Sequence, residues 1–309
     1  MDNIVDSDIF KEKEILAPYT HIFQNDGKNI RTKIVTAFNH WLKVPADQLQ
    51  FIVRTVNMIY EGCMILDDIQ DNSTTRRGLP ASFCVYGIPL TINAGVAGVL
   101  TLALGRFFKI HPKAAEIYQR DLLEVCRGQG IEIYWRENMI CPTEEQYRRV
   151  LEQKTGRMFS MTVSIMQLVS EHQVDCFRLA LLLGEYFQLR DDYCNLICQE
   201  ELEEWPVQKS QDMNKNNAFC EDITEGKFTM PIIHAMGTPQ ANAIRNILQQ
   251  RTTDVQLKKY CVSLIQKSGG LEYTRGILKK LDHEAREIIS RLGGNPELEA
   301  VLDELLGWQ

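Results

Sequence analysis

The chain has 309 residues, is 44% hydrophobic and carries a formal net charge of −7. It is long enough for a sizeable core, and its acidic balance argues against a nucleic-acid partner. Nine scattered cysteines with no CxxC pair argue against zinc and for free thiols in a reducing, cytoplasmic setting.

The first residues, Met1-Asp2-Asn3-Ile4-Val5-Asp6, are acidic and have no apolar core, so no secretory or transit peptide is expected. Helical period then dominates. Apolar residues recur at three-to-four spacing over 47–71, 114–135, 144–170, 173–197, 254–268 and 271–292, which predicts long amphipathic helices. The apolar run 94–104 is too short to cross a bilayer; it predicts a buried helix and no transmembrane segment. Thr143, ahead of Glu144 and Glu145, predicts an N-cap, and Asn295-Pro296-Glu297 opens the last short helix. Segment 199–217 is polar, contains Pro206 and reads as a loop insertion beside the site. Alternating strand patterns are scarce. The expected fold is all-α, a single domain over residues 1–309 with long helices packed around a central cavity.

Two aspartate clusters stand out, Asp67-Asp68-Ile69-Gln70-Asp71 and Arg190-Asp191-Asp192-Tyr193-Cys194-Asn195. Acidic doublets on helices are usually solvated faces. These two instead end apolar runs, Met64-Ile65-Leu66 and Tyr186-Phe187-Gln188-Leu189, so partial burial is expected. A buried carboxylate needs a partner or a metal. On a helix, Asp67 and Asp71 share a face, as do Asp191 and Asn195. Two such faces set opposite each other suit Mg²⁺, which combines a few carboxylates with substrate phosphate oxygens. The pattern predicts metal-bridged binding of a phosphorylated substrate. A lone Lys or Arg is ordinarily a solvated charge. Here Arg76 and Arg77 follow Asp71 closely, Lys28 and Arg31 are three residues apart, and Lys227 follows Gly226 and a run of carboxylates.

Taken together, these blocks resemble short-chain trans-prenyl diphosphate synthases, most closely animal geranylgeranyl diphosphate synthases, over nearly the whole chain. The likeness rests on Gly27-Lys28-Asn29-Ile30-Arg31, the first aspartate motif with Arg76-Arg77-Gly78, Gly128-Gln129-Gly130, Lys154-Thr155-Gly156, Gln188 with Arg190-Asp191-Asp192, and Glu221-Asp222-Ile223-Thr224-Glu225-Gly226-Lys227. The resemblance implies an all-helical bundle that forms a homodimer or higher homo-oligomer and acts on an isoprenyl diphosphate. It implies a cluster of two to three Mg²⁺ ions, or Mn²⁺, held by Asp67, Asp71 and Asp191 beside Asp68 and Asp192. Arg76, Lys154, Thr155, Gln188 and Lys227 would contact the allylic diphosphate. Lys28, Arg31 and Arg77 would hold a second one, that of isopentenyl diphosphate.

The chain departs from that pattern at several places. Tyr60-Glu61 stands where the family has His-Asn, and Tyr60 thereby replaces a contact to isopentenyl diphosphate with a neutral phenol. Glu61 adds negative charge near a diphosphate pocket. Phe83, Val96, Arg157 and Asn217 are further changes. The equipment for ionising an allylic diphosphate is kept and the second-substrate site is altered, as in insect terpene synthases derived from this scaffold. The expected activity is a terpene synthase acting on geranyl or farnesyl diphosphate, quenched by proton loss, or by water where Arg157, Tyr60 or Glu61 opens a polar path. The alternative is a geranylgeranyl diphosphate synthase, with small Gly62 and Cys63 leaving room for a growing chain.

Overall fold

The computed structural model describes residues 13–21, 29–197 and 219–307. Lys28 and the 199–217 segment therefore lie outside the described residues. The helices run α1 (Ala17–His21), α2 (Ile30–Ala37), α3 (Asn39–Leu42), α4 (Ala46–Asp71), α5 (Ser82–Tyr86), α6 (Ile88–Val96), α7 (Ala103–Ile110), α8 (Pro112–Glu137) and α9 (Glu144–Leu151). They continue as α10 (Arg157–Val169), α11 (Phe177–Ile197), α12 (Glu221–Glu225), α13 (Met230–Ala235), α14 (Ala241–Gln249), α15 (Val255–Lys267), α16 (Gly270–Arg291) and α17 (Pro296–Leu305). Among the described residues the only strands are two-residue pieces, Thr75–Arg76 and Leu79–Pro80, paired as one hairpin. The all-α expectation holds.

The six predicted helices all form, with ends shifted by a few residues. Thr143 caps α9 in a reciprocal capping box with Gln146, and Asn295 caps α17 by accepting from the Leu298 N–H at 3.0 Å. The 144–170 segment is one rod in which a π-helical stretch, Glu152–Gly156, joins α9 to α10. Single π-turns of this kind tend to mark functional sites. α4, α8, α10 and α11 pack against one another, with α16 behind α11. Phe38, Phe107, Phe159 and Tyr186 are fully buried in the main core.

Glycine sets the closest approach. A Cβ on Gly184 would lie 2.4 Å from the Gly156 Cα, so α11 and the π-stretch meet backbone to backbone. A Cβ on Gly128 would lie 2.9 Å from the Gln153 Cβ, which pulls α8 onto the same stretch.

Two sequence expectations fail here. The run 94–104 is not a buried helix. α6, a π-stretch (Ala97–Leu102) and α7 form one helical rod, Ile88–Ile110, whose most apolar 18-residue window has mean hydropathy 1.7 and is 35% buried. By length and composition it could cross a membrane, a test that core helices of soluble proteins also pass. Its face at Ile88, Ile92, Val96 and Leu100 is exposed. Counting consecutive apolar residues missed that polar Thr91, Asn93 and Thr101 and charged Arg106 and Lys109 do not interrupt the helix. Gly62 likewise does not open space for a chain. Its missing Cβ is filled by Val99 Cγ2 at 2.7 Å and the Gly95 carbonyl at 3.1 Å, so it serves helix contact.

Candidate active site

A cavity of about 680 Å³ lies between α4, α8, the π-stretch and α11. Asp67, Asp191, Asp192, Arg31, Tyr60, Arg76, Lys154, Thr155, Gln188 and Lys227 all line it. Two regions more than a hundred residues apart are thus brought to one space. Asp68 and Asp71 are buried beside it, and Arg77 does not line it.

The first acidic motif is positioned by the end of α4. Asn72 takes the left-handed conformation, φ 57°, and its N–H returns to the Asp68 and Ile69 carbonyls, closing the helix. The hairpin that follows turns on Arg77 (φ 53°) and Gly78 (φ 75°), the two positive-φ positions of a tight primed turn. That turn sends two neighbouring arginines to different partners. Arg76 Nε donates to Asp68 at 2.8 Å, and Arg77 Nη2 donates to Glu61 at 3.1 Å.

Asp71 accepts from Arg136 and from Lys227, the latter at 2.7 Å. Burial alone would raise its carboxyl, but Lys227, Lys154 and Arg136 outweigh burial and hold it at about 2. Asp67 accepts from Gln129 at 2.8 Å; burial and the neighbouring Asp71 push it upward. Burial lifts Asp68 to about 6 despite its arginine. Lys227 also reaches Glu225 at 2.5 Å, and Glu225 accepts from Ser73 at 2.7 Å. Lys154, on the π-stretch, pairs with Glu132 at 2.5 Å.

On α11, Asp192 accepts from Tyr147 and, at 3.0 Å, from Gln188. Burial raises it to about 6. Gln188 in turn accepts from Thr155 at 2.9 Å, across the Gly156–Gly184 contact. Asp191 is exposed to the cavity. Asn195 accepts the Asp222 N–H at 3.2 Å, which ties α12 to the second motif.

The acids do not form a ready-made protein cage. Among the described residues no three His, Cys, Asp or Glu side chains are grouped closely enough to enclose a metal. The donor set still suits magnesium, which keeps waters and needs one or two carboxylates plus phosphate oxygens. Buried carboxylate oxygens without hydrogen-bond partners, Asp68 Oδ2 and Asp222 Oδ2, fit a site that takes up further positive charge.

Several partners escaped the sequence reading: Arg136, Tyr147, Glu132 and Glu225. Arg136 carried a signal, because Gln129, Glu132, Ile133 and Arg136 sit at helical spacing and all line the cavity. Conversely, Arg157 does not line it. It lies 3.6 Å from both Asp121 and Glu152, so it opens no polar path. Val96 is on the exposed face of α6, and Phe83 is outside the cavity too.

The polyprenyl synthetase family profile matches residues 12–265. A terpene synthase of Matsumurasca onukii is 46% identical over 310 residues, covering 100% of this chain and 97% of that protein. Geranylgeranyl pyrophosphate synthases of Mucor circinelloides f. lusitanicus and Macrophomina phaseolina (strain MS6) are each 40% identical. They cover 95% and 96% of this chain, and 93% and 88% of their own lengths. With acid motifs from two distant helices facing one cavity and likeness that runs nearly end to end, the chain belongs to the polyprenyl synthetase family.

Proposed function

We propose that the chain is a terpene synthase, a lyase that ionises geranyl or farnesyl diphosphate and releases a terpene and diphosphate. The observation that carries this reading is the Glu61–Arg77 ion pair at 3.1 Å. By family likeness Arg77 would serve a second diphosphate; here a carboxylate of the same chain engages it. Tyr60, beside Glu61, replaces a group that could carry positive charge with one that cannot.

On this reading Asp67, Asp71 and Asp191 are the residues to hold magnesium, with Asp68 and Asp192 keeping them in place through Arg76, Gln188 and Tyr147. Bound magnesium would supply Lewis-acid withdrawal of charge from the departing diphosphate. Lys154, Lys227 and Arg76 face the same space and stabilise the developing negative charge. Thr155 and Gln188 orient the leaving group. The walls formed by Leu122, Val125, Val150, Leu151 and Met158 keep bulk water from the allylic cation.

The test is geranyl or farnesyl diphosphate with Mg²⁺ and no isopentenyl diphosphate. Diphosphate release with a volatile terpene is expected, and EDTA is expected to abolish it. Absence of release from either substrate would end the reading. One observation favours the synthase alternative. Arg31 lines the cavity and has no carboxylate partner among the described residues, so one cation is left for a second anion. Formation of a C20 diphosphate from farnesyl and isopentenyl diphosphates would favour it.

A homo-oligomer fits the exposed apolar residues Ile88, Ile92, Val96 and Leu100 on α6 and its π-stretch, with Leu123, Ile131 and Tyr134 on adjacent α8. Light scattering on the purified protein tests that. A cytoplasmic location fits the eight described cysteines, all free thiols.

A further inference from the structure

Among the cavity-lining residues, the Tyr60 hydroxyl and Arg31 Nε are buried without a hydrogen-bond partner. Tyr60 as a whole is 9% exposed. The pair is one local unit. The Arg31 guanidinium carbon lies 5.2 Å from the centroid of the Tyr60 ring and 5.2 Å from that of Phe187. Two aromatic rings therefore lie beside it, and among the described residues it makes a weak polar contact, 3.7 Å to Met64 Sδ. An orphaned buried hydroxyl costs free energy unless something small supplies the missing bond.

The position of Tyr60 narrows what that can be. It precedes Asp67 by seven residues on α4, and Tyr60, Cys63, Met64 and Asp67 all line the cavity. Two helical turns place Tyr60 about 10 Å below the aspartate level. A diphosphate anchored at Asp67 does not reach that depth, and a hydrocarbon tail carries no hydrogen-bonding atom. A second diphosphate is disfavoured by Glu61, whose Oε2 is itself buried and unpartnered. Water is the smallest group that can supply the missing bond, and it needs only two or so polar neighbours in a sheltered place.

We infer that Tyr60, with Arg31, holds the water that captures the carbocation, so that the product includes a terpene alcohol. This rests on the lyase reading and adds the fate of the cation. The allylic C–O bond breaks with its electron pair leaving on the diphosphate. A lone pair of the held water forms the new C–O bond at the cation, or at the cation it rearranges to. One water O–H bond then breaks, and its proton passes through intervening water to the diphosphate at the aspartate level, the strongest base in the closed cavity. Tyr60 is a positioning residue that stays neutral throughout.

The experiment supplies geranyl diphosphate and Mg²⁺ in ¹⁸O-enriched water to wild-type protein and to Tyr60→Phe, and reads alcohol and hydrocarbon products by mass spectrometry. Wild type is expected to give an alcohol carrying ¹⁸O. Removing the phenol oxygen is expected to lower the alcohol-to-hydrocarbon ratio about tenfold, the weight of one hydrogen bond. The ratio is independent of overall rate. An alcohol without the label would come from phosphate-ester hydrolysis and overturns the inference. So does hydrocarbon alone from wild type, or an unchanged ratio in Tyr60→Phe. If no diphosphate is released from either geranyl or farnesyl diphosphate, the lyase reading itself has failed, a separate result.

Discussion

Two charged regions, one lining the cavity around Asp67 and one at and beside it around Tyr60, hold the same residue types and differ in how they are partnered. Around Asp67 and Asp71, acids and bases interleave: Lys227 bridges Asp71 and Glu225, Lys154 meets Glu132, and Arg76 meets Asp68. Each cation there has a carboxylate that metal ions and a diphosphate could relieve of its partner. Around Tyr60, one arginine is paired with Glu61 and another lies 5.2 Å from each of two aromatic rings. The lesson is that a basic residue in a family position is not yet an anion site; its partner decides. Arg31 and Arg77 in the sequence point to a synthase, and the Glu61–Arg77 pair supports the proposed lyase reading.

The largest expected effect breaks the acidic end. Asp67→Asn removes a carboxylate charge that lines the cavity while keeping an oxygen that can accept from Gln129, which also donates to Gln70 at 2.8 Å. Diphosphate release from geranyl diphosphate is expected to fall about 10²- to 10³-fold, measured with a coupled phosphate assay. Activity within a factor of about three would remove Asp67 from the metal site.

Lys227→Met tests whether the same end depends on its cation when substrate is absent. Asp71 and Glu225 would be left buried together with one less positive charge. Losing one partner of a buried pair costs about 3 kcal/mol or more. Thermal unfolding should move down by several degrees, and an unchanged midpoint would mean that Arg136 alone compensates Asp71.

A smaller effect comes from the glycine contact that holds this end together. Gly184→Ala forces a Cβ to within 2.4 Å of the Gly156 Cα. Overpacking of this kind costs about 1–3 kcal/mol. The displaced groups include Thr155 and Gln188, so turnover should fall along with stability. A fully stable and fully active variant would show that the π-stretch yields freely.

Much of this organisation was legible in the sequence because it is local. Both aspartate motifs close apolar helical runs, and Thr143 and Asn295 are caps that act within three residues. Partners across the fold were not legible. Arg136 finds Asp71 from 65 residues away, and Tyr147 finds Asp192 from 45. Facing direction was the other blind spot. Arg157 and Val96 sit in blocks that match the family, yet each turns away from the cavity, since neighbouring helical residues point about 100° apart. Glu61 was read as repulsive near a diphosphate; its specific partner, Arg77, emerged only once the hairpin turn was seen.

That pair gives the sharpest test of the comparison between the two ends. Glu61→Gln keeps the shape and removes the charge that Arg77 meets at 3.1 Å. The pair is partly sheltered, with side-chain exposures of 23% and 11%, so its strength exceeds that of a fully exposed pair. If Glu61 is what withholds the second anion site, the variant should shift the balance of products. With farnesyl and isopentenyl diphosphates both present, the ratio of elongated diphosphate to terpene should rise about tenfold, equivalent to ~1.4 kcal/mol. A rise would locate the divergence between synthase and lyase in one carboxylate. An unchanged ratio would place it in Tyr60, the remaining departure on that side of the cavity, whose ring lies 5.2 Å from Arg31.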